Sequence, residues 1–140
     1  DPEKIELPVR VAGRVVAFRD QGKVSFADIR DESGRVQLFL RKDDLGEAAY
    51  ENLRDIALGD FIGASGNVFR TRRGEISVKP TEWTMLTKSL RPLPEKYHGL
   101  TDVETRYRQR YLDMASNPEV LDTLRKRSQV ISVMREWLTS

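Results

Sequence analysis

Between residues 7 and 90 most of the chain alternates apolar and polar positions with a period of two, the spacing of strands that bury one face. The alternation is clearest in KVSFADIRDESGRVQLFLR, residues 23–41, where two such runs flank the turn-like ESGR with Gly34 and predict a β-hairpin. Ser25, Ala27 and Ile29 share one face of the first strand; Val24, Phe26, Asp28 and Arg30 share the other. In the second strand Val36, Leu38 and Leu40 form the apolar face, opposite Arg35, Gln37, Phe39 and Arg41. Two aromatics, Phe26 and Phe39, thus fall on the face that carries Asp, Gln and Arg. Before the hairpin, VRVAGRVVAFR sets Val9, Val11, Gly13, Val15 and Ala17 against Arg10, Ala12, Arg14, Val16 and Phe18, with DQGK as the connecting turn.

After the hairpin the period changes. In KDDLGEAAYENLRDIALGD, Ala48, Ala49, Leu53 and Ile56 carry helical spacing and Gly59 suits a helix stop. FIGASGNVFRTR returns to strand, with Gly63 and Gly66 indicating a bulge or a barrel bend. TRRGEIS is a further turn, and in the strand that follows Ile76 and Val78 point away from Glu75, Ser77 and Lys79. Pro80 cannot donate to a ladder and should mark an edge or the end of pairing. Three strands, a helix and two strands predict an all-β, five-stranded Greek-key OB-fold barrel, an architecture whose sheet face binds oligonucleotides and oligosaccharides. An SH3-like barrel or a small sandwich is the alternative, and neither accounts as well for the helix.

Beyond it, Pro92 and Pro94 stiffen an extended linker. TDVETRYRQRYLD is helical, with Thr101 and Glu104 spaced as a capping box. A second helix starts with Asn117 at its cap and Pro118 at its first position. On it Val120, Leu124, Ile131, Met134 and Leu138 form one stripe, widened by Val130, Val133 and Trp137. A helix that apolar requires a partner surface: one absent from this chain, a second copy, or the helix bearing Leu100, Val103, Tyr107 and Tyr111. The expected organisation is a barrel over 1–90, a linker with a short helix over 91–116, and a separate helical segment from 117 to 140.

Composition narrows the classes. The 140 residues are 39% hydrophobic and 33% charged with a formal net charge of +2, so the placement of arginines matters more than their excess. The absence of cysteine excludes disulfide and thiolate chemistry and fits a reducing cytosol, hence a cytoplasmic protein. No apolar run approaches the roughly 20 residues of a membrane helix. His98 is the single histidine, and without cysteine it offers no zinc site. The sequence opens with DPEKIELP, without methionine, and stops at REWLTS inside a helical pattern, which reads as a piece of something longer.

The two aromatics give the chemistry. With Arg10, Arg14, Arg30, Arg35 and Arg41 beside them, Phe26 and Phe39 match what single-stranded RNA binding requires. An unpaired base stacks on such a ring for about 1–3 kcal/mol, and arginines hold the phosphates. The Gln37 amide offers a donor and an acceptor side by side, which a uridine edge can meet, and Glu75 accepts the ring N–H if it reaches. RYRQRY interleaves arginine and tyrosine, as an RNA contact or as a helix packed between domains.

VAGRVVAFRDQGKVSFADIRDESGRVQLFLRKDDLG, LGDFIGASGNVFRTRRGEISV, LTKSLRPLPEKYHGLTDVETRYRQRYLD and RKRSQVISVMREWL together resemble the N-terminal portion of bacterial-type lysyl-tRNA synthetases, class II enzymes. The resemblance covers nearly the whole chain. The barrel part is shared with aspartyl- and asparaginyl-tRNA synthetases, while LRPLPEKYHGL to RYRQRYLD looks lysyl. It implies a barrel that binds a tRNA anticodon loop with a central uridine. Phe26 then corresponds to the family's stacking residue, Gln37 to its uridine reader and Glu75 to a further base contact. Arg14 and Arg19 lie at positions similar to family arginines near the anticodon. The last helix resembles the one opening the first class-defining motif, at the dimer interface. Members activate lysine with ATP and magnesium on a separate domain whose other motifs this chain lacks, so no catalytic residue is assigned, and the chain by itself is expected to be inactive and to need no cofactor. The rival readings are an aspartyl- or asparaginyl-type fragment and a free-standing OB protein for single strands.

Overall fold

The computed structural model describes residues 7–71, 74–91, 93 and 100–140. The expectations placed on Pro92, Pro94 and His98 lie outside the described residues. The chain divides into two compact units, residues 1–92 and 93–140.

The first unit is a closed barrel of β1 (Leu7–Asp20), β2 (Val24–Arg30), β3 (Arg35–Arg41), β4 (Phe61–Arg70) and β5 (Ile76–Thr87), ordered β1-β2-β3-β5-β4. This is the predicted five-stranded OB-fold arrangement. Long β1 serves both halves: Leu7 to Arg14 pair with β4, and Arg14 to Asp20 pair with β2. Closure is a parallel seam of two residue pairs, Gln37 with Ser77 and Leu38 with Val78. The predicted hairpin forms in register, Phe26 opposite Phe39 and Asp28 opposite Gln37. Its turn is held by Asp31, whose Oδ1 accepts from the Ser33 N–H (2.8 Å), the Ser33 hydroxyl (2.7 Å) and the Gly34 N–H (3.0 Å).

Val15, Ala27, Ile29, Leu38, Leu40, Ile62, Ala64 and Val78 fill the barrel, as the alternation of β2 and β3 requires. The alternation of β1 does not carry through. The register shifts between Val15 and Ala17, so Val15 faces Ile29 whereas Phe18 faces the inward Ala27. A bulge adds one residue and exchanges the two faces beyond it. Phe18 therefore packs against the core instead of joining Arg10 and Arg14, and Arg19 turns outward opposite Phe26.

Gly66 does mark a bulge: Ser65 pairs with Glu82 and Gly66 with Pro80, which leaves Thr81 extra. A Cβ on Gly66 would lie 2.1 Å from the Lys79 carbonyl oxygen, so the close approach requires glycine. β5 runs through Pro80 to Thr87, because the bulge absorbs the missing donor where an interruption was expected.

Between β3 and β4 the expected helix is broken into α1 (Lys42–Leu45), α2 (Glu47–Glu51) and a 3-10 turn over Asn52–Asp55. Gly46 lies between them at φ 81°, outside helical geometry. The break re-phases the buried face: Tyr50, Leu53 and Ile56 enter the core, while Ala48 is exposed. The Tyr50 hydroxyl shares a 2.8 Å hydrogen bond with Ser25 Oγ, and Trp83 Nε1 donates to the Ala49 carbonyl at 2.9 Å. These bonds pin the helical segment to β2 and β5. The segment ends at buried Asp60, whose carboxylate accepts from the Ala57 N–H (2.7 Å), the Ser89 N–H (2.7 Å) and Lys88 Nζ (2.7 Å).

The second unit holds α3 (Val103–Arg108), α4 (Arg110–Ser116) and α5 (Pro118–Thr139). The cap of α3 is Asp102, accepting from the Thr105 N–H at 2.7 Å, in place of the expected Thr101 and Glu104 pair. Asn117 and Pro118 stand at the start of α5 as expected, but the Asn117 side chain turns back, its Nδ2 donating to the Leu100 carbonyl (3.1 Å) and to Asp113 (2.6 Å). Fully buried Asp113 also accepts from Arg106 Nε (2.8 Å) and Arg110 Nη1 (2.5 Å). Two arginines of RYRQRY are thus tied to a structural hub. Among the described residues no helix is long and apolar enough to cross a membrane, which leaves β-barrel spanning unaddressed.

Candidate nucleic-acid interface

The outer face of β2, β3, β5 and β4 carries the site. Phe26 and Phe39 are direct cross-strand partners with ring centroids 5.3 Å apart and planes inclined at 55°. Phe39 meets Phe69 of β4 at 5.4 Å and 52°. The three rings, all half-buried, form a continuous tilted strip. The Arg19 guanidinium stands 5.7 Å from the centre of the Phe26 ring.

Beside the rings runs a row of polar side chains, Asp28, Gln37 and Ser77, on neighbouring strands. All are buried, Asp28 to 1% and Gln37 to 7% exposure, although they lie on the outside of the barrel. The Ser77 hydroxyl donates to Gln37 Oε1 at 3.2 Å, so the Gln37 acceptor is engaged and its amide N–H group is what remains for a ligand. Arg35 Nη2 donates to Asp28 Oδ2 at 2.5 Å, and Arg19 Nη2 lies 3.9 Å from the same oxygen.

The structure brings together Phe26, Phe39, Gln37 and Arg19. Glu75 is exposed immediately before β5, two residues from Ser77, and its own N–H donates to Thr71 Oγ1 at 3.0 Å. Arg14 and Arg30 pair at the far end of the β1–β2 ladder. There Arg14 sits 4.4 Å over the Phe61 ring and donates weakly to the Gly59 carbonyl at 3.4 Å, away from Phe26. Arg41 is bonded to Asp43 at 2.8 Å and is drawn to the helical segment. Arg10 and Arg35 line one groove of about 310 Å³ with Asp31, Ser33, Ile29 and Val36.

Three members of the site were not among the expected ones. Phe69 follows Val68 in NVFRTR and is aromatic on an outward position, the same signal that marked Phe39. Asp28 and Ser77 gave no local signal, since their meaning depends on the β3–β5 pairing of residues 40 apart in sequence.

Aromatic faces for stacking, an amide aimed at an edge and arginines nearby can hold an unpaired nucleotide. The chain is 56% identical over 99% of its length to a protein named lysine–tRNA ligase from Dehalococcoides mccartyi. It is 53% identical over 97% to one from Latilactobacillus sakei, and 50% identical over 96% to one from Carboxydothermus hydrogenoformans. In each case it spans 28% of the relative's length. Residues 9–86, which hold the platform and its arginines, match the model of the OB-fold nucleic acid binding domain, and the chain belongs to that family.

Proposed function

We propose that the barrel is the anticodon-binding part of a cytoplasmic lysine–tRNA ligase and that it takes the central uridine of the anticodon loop. The observation that carries this reading is the outward strip Phe26–Phe39–Phe69 with the Gln37 amide in the next row. Phe26 stacks on the base, Gln37 donates to one of its carbonyl oxygens, and Arg19, Arg30 and Arg14 serve the phosphates. Glu75, exposed two residues before Ser77, makes a further base contact. Names of relatives sharing 50–56% identity support the ligase assignment.

In the whole protein, lysine would be attached to tRNA with ATP and magnesium. Among the described residues no three His, Cys, Asp or Glu side chains converge to hold a metal ion. Val130, Val133, Met134, Trp137 and Leu138 of α5 are exposed, and Trp137 is 77% exposed. That face is the surface of a homodimer. Sedimentation of the full chain should show concentration-dependent association that disappears when residues 117–140 are removed; a monomer at high micromolar concentration rules it out.

The direct test is titration with an anticodon stem-loop. A loop with central uridine should bind better than one with central adenine, and Phe26→Ala should weaken binding by about 1–3 kcal/mol while the barrel stays folded. Unchanged RNA affinity with a large loss of melting temperature would make the ring structural.

A further inference from the structure

Asp28 is buried to 1% exposure, yet only one of its carboxylate oxygens is engaged: Oδ2 accepts from Arg35, and Oδ1 is buried without a hydrogen-bond partner. A buried acceptor left empty is costly and uncommon, and here it stands on the platform, directly across the strand pair from Gln37. The Gln37 oxygen is committed to Ser77, so the two neighbours divide the work, a donor on Gln37 and an acceptor on Asp28. From these facts we infer that Asp28 is a specificity-determining residue whose Oδ1 accepts the ring N–H of the base to which Gln37 donates.

The inference rests on the RNA-binding reading above and sharpens it. A donor beside an acceptor complements an edge with a carbonyl oxygen beside a ring N–H. Uracil offers that pair through O4 and N3–H, and guanine through O6 and N1–H. Cytosine and adenine offer the reverse, an amino group beside a bare ring nitrogen, which a carboxylate repels. Glu75 was the acceptor expected from sequence, but it precedes β5, whereas Asp28 is the register partner of Gln37. The two guanidinium groups nearest Asp28 belong to Arg19 and Arg35, whose side chains are 55% and 52% exposed. Both approach Oδ2 and leave Oδ1 without a donor, so a ring N–H can take that place without displacing either guanidinium.

The test titrates the full chain with four stem-loops that differ only in the central nucleotide: uridine, cytidine, guanosine and N3-methyluridine. Wild type should favour uridine over cytidine by about tenfold or more, as expected for a hydrogen-bonded edge. It should rank guanosine above cytidine and bind N3-methyluridine no better than cytidine. Asp28→Asn, which puts an amide N–H where only acceptors stood, should bring the uridine-to-cytidine ratio close to one. A folded Asp28→Asn that keeps the wild-type ratio overturns the assignment. So does equal binding of uridine and N3-methyluridine by wild type, a result that needs no variant to fold. Wild type that binds none of the loops would instead sink the anticodon reading itself.

Discussion

Leu38 and Leu138 are the same side chain in opposite surroundings: the first is fully enclosed by the barrel, the second is 71% exposed on the last helix. The barrel satisfies its apolar surface internally, strand against strand, with Tyr50, Leu53 and Ile56 of the helical segment plugging one end. The helical unit satisfies its polar groups internally and its apolar ones hardly at all. Its one fully buried side chain among the described residues is a carboxylate, Asp113, held by two arginines and an asparagine. Polar anchoring fixes how α3, α4 and α5 meet, and leaves the apolar stripe for something else to cover.

The largest test of this contrast is a matched truncation. Leu38→Ala should cost about 2–5 kcal/mol in urea unfolding, because the site cannot collapse around the cavity. Leu138→Ala in dilute protein should stay within about 0.5 kcal/mol, as exposed substitutions do. Equal losses would show that α5 is already covered in the monomer.

Acid acts on both units, and one substitution separates them. Burial raises the Asp113 carboxyl, but the hydrogen bonds from Asn117 and Arg106 and the charge of Arg106 outweigh it and hold it below the ordinary value. Asp60 behaves alike, burial being outweighed by Lys88 and the Ala57 and Ser89 N–H groups. A carboxyl depressed in the folded state gives stability that is present above its unfolded value, about 3.9, and lost as pH falls through the folded one. Both units should therefore weaken in acid below about pH 4. In Asp113→Asn the helical unit alone should lose that response, followed by amide signals of α4 against those of β3. An unchanged acid profile in α4 would remove Asp113 from its role as hub.

The smallest effect concerns Arg14. Its ring contact with Phe61 and long bond to Gly59 should make Arg14→Ala cost about 0.5–1 kcal/mol of barrel stability. If the residue also neutralises a phosphate, the salt slope of RNA binding falls by about one unit; an unchanged slope leaves it purely structural.

The order of elements, the hairpin register and the outward aromatics were legible because each is written in a period of two or in a turn a few residues long. What was not legible depended on single insertions and distant partners. One extra residue at Val16 reversed the faces of β1, hiding Phe18 and presenting Arg19. Gly46 split a helix that composition made continuous, so Tyr50 rather than Ala48 faces inward. The arginines read alike in sequence, yet Arg19 stands on Phe26, Arg14 on Phe61 and Arg41 on Asp43, because charge says nothing of which neighbour folding supplies.

The parallel seam has a kinetic side. Among the described residues only Gln37–Ser77 and Leu38–Val78 join β3 to β5, with partners 40 residues apart, so this seam closes a long loop with the fewest ladder pairs in the barrel. It is the natural place for the barrel to breathe, and half of it is Gln37, the residue proposed to meet the base. Each opening therefore dismantles the reader. RNA that engages Gln37 pulls the open population back by mass action, acting as a clasp on the fold as well as a ligand. Amide exchange at Leu38 and Val78 should slow when the stem-loop is added, more than at Ile62 or Ala64 on the long β4–β5 ladder.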